Sequence, residues 1–293
     1  MDGVQITAIS RESVLDSADW AVWPDGQRRF VYCWGPRDPK GYVGLVHGLG
    51  EHGGRYAELA TQMASRGYFV AAYDQQGHGH DPSKRGVITS YQSLLHDVGQ
   101  LLSWLRLQAR GRPCFLFGHS MGGNLVTNYV LREKVLPTAI IASSPMFRSP
   151  REPRGPFNWI ARLALRLAPN LCIGAGIRFE DLTDDPIEQR QVASDPLYHR
   201  RVSLRLGAEL IDSGRWAIEH ADQLKRPILI THSTSDRLTM AAGSAAFAAK
   251  AGSICQMVSL ENHRHETFRD LDKRTVWELL ISYLDSHQKV PSR

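Results

Sequence analysis

Along most of this chain, short apolar runs alternate with stretches in which apolar residues recur every three or four positions. The first pattern marks strands buried on both faces and the second marks amphipathic helices. Strand-like runs fall at 43–47, 68–73, 114–117, 139–143, 227–232 and 255–260. Helical spacing runs through Tyr56, Leu59, Ala60 and Met63, then through Leu94, Leu95, Val98, Leu101, Leu102 and Leu105, which Gly111 and Pro113 bring to an end. It returns after 120 through Leu125, Val126 and Tyr129, and again along 241–250 and 275–286. Residues 19–34 suggest a hairpin turning at Pro24-Asp25-Gly26. Strand alternating with helix at this rhythm predicts an α/β fold with a mostly parallel central sheet covered on both faces.

From about Pro145 to Trp216 the rhythm breaks. Pro150, Pro153, Pro156 and Pro169 punctuate the segment, and no strand-like run interrupts it. It is too long for a plain loop, so a helical insertion over the sheet is expected at 145–216, between core segments 1–144 and 217–293. Its most patterned part is 156–169, where Pro156 suits a helix start and Pro169 a stop. Phe157, Ile160, Leu163, Ala164 and Leu167 fall on one face there, with Arg162 and Arg166 together on another.

Composition narrows the classes. With 293 residues, 42% of them hydrophobic and 22% charged, the chain is long enough for one large domain or two small ones with a sizeable core. The net charge of +5 comes without a run of like charges, so a nucleic-acid partner is not expected. Cys33, Cys114, Cys172 and Cys255 have no metal-type spacing. Three of them, Cys33, Cys114 and Cys255, lie in apolar runs and read as buried free thiols, which suits a reducing compartment. The first residues show neither a basic nor a long apolar leader, and no run approaches the ~18–20 apolar residues of a spanning helix. A cytoplasmic protein is expected.

The chemistry gathers where one strand meets one helix. In Gly118-His119-Ser120-Met121-Gly122-Gly123 a serine stands at the apex of a strand–turn–helix, the context of a nucleophile elbow. Gly118 and Gly122 remove side chains that would collide there. A serine hydroxyl needs a base, itself oriented by an acid. In such a sheet these follow in the order serine, acid, histidine, each after the carboxyl end of a strand. Asp236 fills the acid slot, while the histidine slot holds two candidates, His263 and His265. One oxyanion-hole N–H is expected from Met121 and the other from Leu49, between Gly48 and Gly50. His47 is expected to brace that loop by hydrogen bonding.

Four stretches then carry a resemblance: His47-Gly48-Leu49-Gly50-Glu51-His52-Gly53-Gly54-Arg55-Tyr56, Gly77-His78-Gly79, Gly118 to Gly123, and His265-Glu266-Thr267-Phe268. Together they resemble the monoacylglycerol lipase family of α/β-hydrolases, from about Tyr32 to the C-terminal helix. The resemblance implies an α/β-hydrolase fold with a helical lid at 145–216. It implies a serine hydrolase that cleaves monoacylglycerols to fatty acid and glycerol through an acyl-enzyme, without cofactor or metal. It places the base on His265, not His263, the acid on Asp236 and the oxyanion donors on Leu49 and Met121, with His47, Gly48, Gly118 and Gly122 supporting the site. His78, His80 and Asp81 could be read as metal ligands, but the family's glycine-rich loop gives them a structural role. The partner implied is an acyl-ester lipid. The amphipathic pattern of the arginine-bearing lid helix itself fits two roles, an interfacial lid in peripheral contact with an anionic membrane and an ordinary cap packed over the site. Rival readings are a lysophospholipase or short-chain carboxylesterase with the same triad, a non-hydrolytic acyl transferase, or a ligand-binding protein on the same fold. Gln75-Gln76, His80-Asp81 and the polar Asn124 depart from the family's pattern.

Overall fold

The computed structural model describes residues 15–152, 155 and 157–288. Pro153 and Pro156, the latter expected to start a helix, lie outside the described residues, as do the N-terminal residues read for a leader. The helix-face reading of Phe157 and Ile160 also rests on side chains outside them.

Ten strands and nine α-helices are seen among the described residues. The core begins with β1 (Leu15–Val22) and β2 (Arg28–Gly35), an antiparallel hairpin around the expected turn. Then come β3 (Gly41–Val46), α1 (Ala57–Ser65), β4 (Tyr68–Tyr73), α2 (Tyr91–Ala109), β5 (Cys114–His119), α3 (Met121–Arg132) and β6 (Ile140–Ser143). The sheet is ordered β1-β2-β4-β3-β5-β6 and continues, after the insertion, with β9 (Ile228–Ser233) and β10 (Cys255–Leu260). Beyond the hairpin and the β2–β4 pair, which are antiparallel, every pairing in this sheet is parallel.

Sequence explains the layering. The residues of β3, β4, β5, β6 and β9 are buried throughout, as strands covered on both faces must be. Leu94, Leu95, Val98, Leu101, Leu102 and Leu105 of α2 pack with α3 residues on one side. Leu59, Ala60 and Met63 of α1 and residues of α9 (Lys273–Ser286) cover the other. Ser90 caps α2, its hydroxyl accepting the Ser93 N–H while Ser93 returns a bond to the Ser90 backbone. The helix ends in a left-handed Arg110 followed by Gly111. All four cysteines are free, but only Cys114 is buried. Cys33, on the second strand from one edge, and Cys255, on the opposite edge strand β10, are half-buried, contrary to the sequence expectation.

The segment 145–216 holds α4 (Phe157–Leu167), α5 (Phe179–Leu182), α6 (Pro186–Ser194) and most of α7 (Leu204–Glu219). It is not purely helical as expected. β7 (Cys172–Gly174) and β8 (Arg201–Ser203) pair antiparallel as a separate two-stranded sheet. The helix α8 (Ala241–Ala251) joins β9 to β10.

Candidate active site

β5 delivers Ser120 to the carboxyl edge of the sheet. Ser120 has φ 53° and ψ −112°, a conformation costly for a residue with a Cβ. Backbone bonds hold it there: its N–H donates to Ser143 O at 2.9 Å, and its carbonyl accepts from Asn124 and Met146 at 3.0 Å each. The flanking glycines are compulsory. A Cβ on Gly118 would stand 2.2 Å from Gly122 O, and one on Gly122 would stand 2.0 Å from Val46 O. Ser120 also precedes the first turn of α3, whose unpaired N–H groups and dipole favour negative charge at this point. Asn124 reaches well outside the elbow. Its amide donates to Met146 O at 2.7 Å, and its oxygen accepts from Tyr91 OH at 2.6 Å and Ser213 Oγ at 3.1 Å, tying the elbow helix to α2 and α7.

Asp236 lies in the turn after β9. Oδ1 accepts the Leu238 and Thr239 N–H groups at 2.8 and 3.0 Å, and Oδ2 accepts from Thr239 Oγ1 at 2.7 Å and from His265 Nδ1 at 2.7 Å. Burial alone would raise the carboxyl pKa, but the His265 charge and the hydrogen bonds from His232 and His265 outweigh it and hold it far below the carboxylate range. His265 is buried, and burial would lower its pKa. The Asp236 carboxylate outweighs this and raises it above the ordinary imidazole value. The ring packs 4.7 Å from that of His119, which burial and the neighbouring His265 push down to about 3. His119 is therefore neutral, and its Nδ1–H donates to Ser143 O at 3.2 Å. The other histidine of this loop is buried as well. His263 turns its Nδ1–H onto Glu261 O at 2.6 Å and makes no bond to Asp236.

The loop after β3 approaches from the other side. Leu49, Met121, Ser120 and His265 line one cavity of about 530 Å³. His47 is fully buried; its Nδ1–H donates to Gly48 O at 2.8 Å, and Nε2 accepts the Gln75 N–H at 3.1 Å. Only the neutral ring satisfies both bonds, and burial lowers its pKa accordingly. The Gln75 amide returns a bond to His47 O at 2.7 Å, which accounts for that departure in sequence. Gln76 grips Thr89, His80 Nδ1 sits 3.0 Å from Asp74, and Asp81 accepts the Gly77 and Ser83 N–H groups. His78 turns its Nδ1–H to Gln76 O. These groups brace a loop and do not converge on a common point.

A buried charge network lies beneath the Gly48–Leu49 turn. Glu51 Oε2 accepts from Gly48 N at 2.9 Å and Tyr56 OH at 2.6 Å, while Arg55 bonds both oxygens of Glu266 at 2.8–2.9 Å. Burial would raise Glu51, but Arg55 and its hydrogen bonds bring it down to about 2; Glu266, buried beside Glu51, is raised. Glu51, His119 and Glu266 present ligand atoms within 4.8 Å of one another. The Arg55 guanidinium, 3.6 Å from Glu51 and bonded to Glu266, already supplies the positive charge those carboxylates require. Their fit to a cation is poor. Sequence reading passed over this network because Glu266 lies more than two hundred positions from Arg55. The only signal was that Glu51, Arg55 and Glu266 all fall inside the shared motifs.

The insertion closes the cavity with Met146, Leu165, Ile177, Val202 and Leu210. It is pinned to the site loops: His199 N–H donates to Gly50 O at 2.9 Å, His52 Nε2 lies 2.8 Å from Asp195, and Glu266 N–H donates to Leu182 O at 2.7 Å.

Comparisons with known proteins agree with this architecture. The family model described as "Serine aminopeptidase, S33" matches residues 37–272. The chain is 30% identical to the monoglyceride lipase of Homo sapiens over 75% of its own length and 73% of that protein. It is 28% identical to the monoacylglycerol lipase of Mycolicibacterium smegmatis, over 89% of this chain and 95% of that one. It spans 28% of the length of a Dictyostelium discoideum abhydrolase domain-containing protein and 58% of a Schizosaccharomyces pombe relative. The crystal structure of Paleococcus ferrophilus monoacylglycerol lipase superposes with a TM-score of 0.80 at 31% identity, covering 89% of this chain and all of that one. The chain belongs to this family, as a monoacylglycerol lipase-like member of the α/β-hydrolases.

Proposed function

We propose that the protein hydrolyses the ester bond of monoacylglycerols, releasing fatty acid and glycerol through an acyl-enzyme. The observation that carries this reading is the 2.7 Å bond by which Asp236 holds His265, a residue that lines the same cavity as a strained Ser120. Asp236 keeps the His265 Nδ1–H in place, so that Nε2 takes the Ser120 proton as Oγ attacks the acyl carbonyl. The Leu49 and Met121 N–H groups receive the oxyanion. His265 then returns the proton to the departing alcohol, and water repeats the sequence on the acyl-enzyme to free the acid. His47 and Gly48 hold the Leu49 turn, and Gly118 and Gly122 admit the elbow.

The apolar walls contributed by Met146, Leu165, Ile177 and Leu210 suit an acyl chain. Residues 145–216 act as the lid. Trp159, Leu163 and Leu167 expose apolar surface on α4 beside exposed Arg162 and Arg166, a pattern suited to resting on anionic lipid. No described helix is long and apolar enough to cross a membrane, so contact through this face would be peripheral.

The test pairs a fluorophosphonate probe with monoacylglycerols and p-nitrophenyl esters of graded chain length. Wild type is expected to be labelled and to prefer monoacylglycerols, and Ser120→Ala to lose both labelling and turnover while keeping its fold. Labelling that survives in Ser120→Ala refutes the assignment. Preference for lysophospholipids or short soluble esters would move the substrate to the rival readings.

A further inference from the structure

Asp236 has a histidine neighbour besides His265. His232, in β9, is fully buried, with Nε2 3.2 Å from Asp236 Oδ2 and 3.3 Å from Thr239 Oγ1. Its Nδ1 lies 2.7 Å from Oγ of Ser244, a buried residue of α8. With the ring neutral, the hydrogen inventory allows one arrangement. A carboxylate oxygen only accepts, and a ring lone pair aimed at it in a site closed to water would meet uncompensated repulsion. Nε2 therefore carries the hydrogen. In the neutral ring Nδ1 is then an acceptor, and the Ser244 O–H donates to it. Oδ2 of Asp236 thus collects three donors, from His265, Thr239 and His232.

We propose that His232, held in its Nε2–H form by Ser244, is a positioning residue that fixes Asp236 beneath His265 and sets the basicity of His265 through the shared carboxylate. This rests on the reading of Ser120, His265 and Asp236 as a triad. Each donor on Oδ2 draws off negative charge that would otherwise hold the proton on His265. Removing one leaves His265 a stronger base in the resting enzyme, protonated to higher pH and so inactive to higher pH. The other charged or titratable groups around His265 are His119, Glu266 and Glu51, the last two with Arg55. Substitutions at 232 or 244 leave all of these in place.

The experiment measures kcat/KM of the full chain on a soluble short-chain ester from about pH 5 to about pH 9. The variants are His232→Leu, His232→Gln, Ser244→Ala and Ser120→Ala. In His232→Leu the acid limb is expected to move up by roughly half a pH unit and the plateau to fall about tenfold. His232→Gln, whose amide N–H replaces the ring donor, should bring the limb back toward wild type. Ser244→Ala, which no longer fixes the tautomer, should move it upward by less. Coincident limbs in wild type and His232→Leu, or equal shifts in the Leu and Gln variants, overturn the role of His232. If His232→Leu does not fold, an unmoved limb in Ser244→Ala overturns it. Turnover or fluorophosphonate labelling that persists in Ser120→Ala overturns the triad reading itself, whereas coincident limbs beside an inert Ser120→Ala overturn the His232 role alone.

Discussion

Replacing Leu163 and Leu167 with serine tests whether the outer face of α4 enters lipid. The two side chains belong to residues 47% and 75% exposed, so each retains apolar surface that a membrane could cover. Taking ~2 kcal/mol for fully burying a leucine, what they now expose is worth about 1 and about 1.5 kcal/mol on insertion. The pair then contributes about 2.5 kcal/mol, roughly a 60-fold change in partitioning. Co-sedimentation with vesicles of anionic and of neutral lipid reads this directly. The double variant should bind anionic vesicles more weakly by about that factor. Its turnover of long-chain monoacylglycerols should fall, while that of a soluble short-chain ester stays within about twofold, because neither leucine is among the residues lining the cavity. Arg162→Glu with Arg166→Glu should weaken anionic binding alone, and the loss should shrink as salt is added. If wild type binds neither kind of vesicle, or if short and long substrates lose activity equally, the helix is a fixed cap and the reasoning fails.

Other consequences are as direct. His265→Ala should lower kcat by several orders of magnitude, and His263→Ala far less, in a steady-state assay on a short ester; the reverse order would put the base two residues upstream. Gly122→Ala must displace backbone, since its Cβ would stand 2.0 Å from Val46 O, and a loss of about 2–4 kcal/mol should appear in chemical denaturation; unchanged stability would contradict the packing. Asp236 and Glu51 have depressed pKa values, so the stability they contribute is present above the ordinary carboxylate range and lost as pH falls below it. Unfolding free energy measured from about pH 7 down to about pH 3 should drop most steeply below about 4.5, and less so in Asp236→Asn. Because His265 is raised, kcat/KM should rise with pH through a value above the ordinary imidazole range; an acid limb at or below that range would contradict the pairing with Asp236.

What could be read in the sequence follows the distance over which each cause acts. The elbow was legible because Gly118, Ser120 and Gly122 constrain one another within a single turn. The slot of Asp236 was legible because strand order predicts which loop should carry it. His263 and His265 sit two apart in one polar loop, so strand order alone could not choose between them; the shared motif pointed to His265, and in the structure it is His265 that contacts Asp236, 29 positions away. Gln75 looked anomalous until its bonds to His47 showed it holding the loop that presents Leu49. β7 and β8 were invisible because three residues apiece, with Ile173 51% exposed, leave no hydrophobic pattern. The pairing of Arg55 with Glu266 was not legible, since each residue alone resembles an ordinary surface charge and their place in the shared motifs does not say that they meet.

The order of strands in the sheet also bears on how the chain comes to be active. Leu49 and Ser120 follow β3 and β5 in the middle of the sheet, whereas His265 follows β10, the strand at its edge. β9 pairs with β6 across the whole 145–216 segment, Ile140 against Ile228, so docking β9, and β10 beside it, onto the sheet closes a long loop and belongs among the slower contacts to form. A molecule that has assembled the elbow but not yet docked this edge holds its serine in the strained conformation without a base beside it. With His265 as the proposed base, its hydroxyl is then inert, and the unfinished chain is not expected to attack acyl esters around it. Recovery of esterase activity during refolding should therefore lag behind burial of the central strands and report the arrival of the last one.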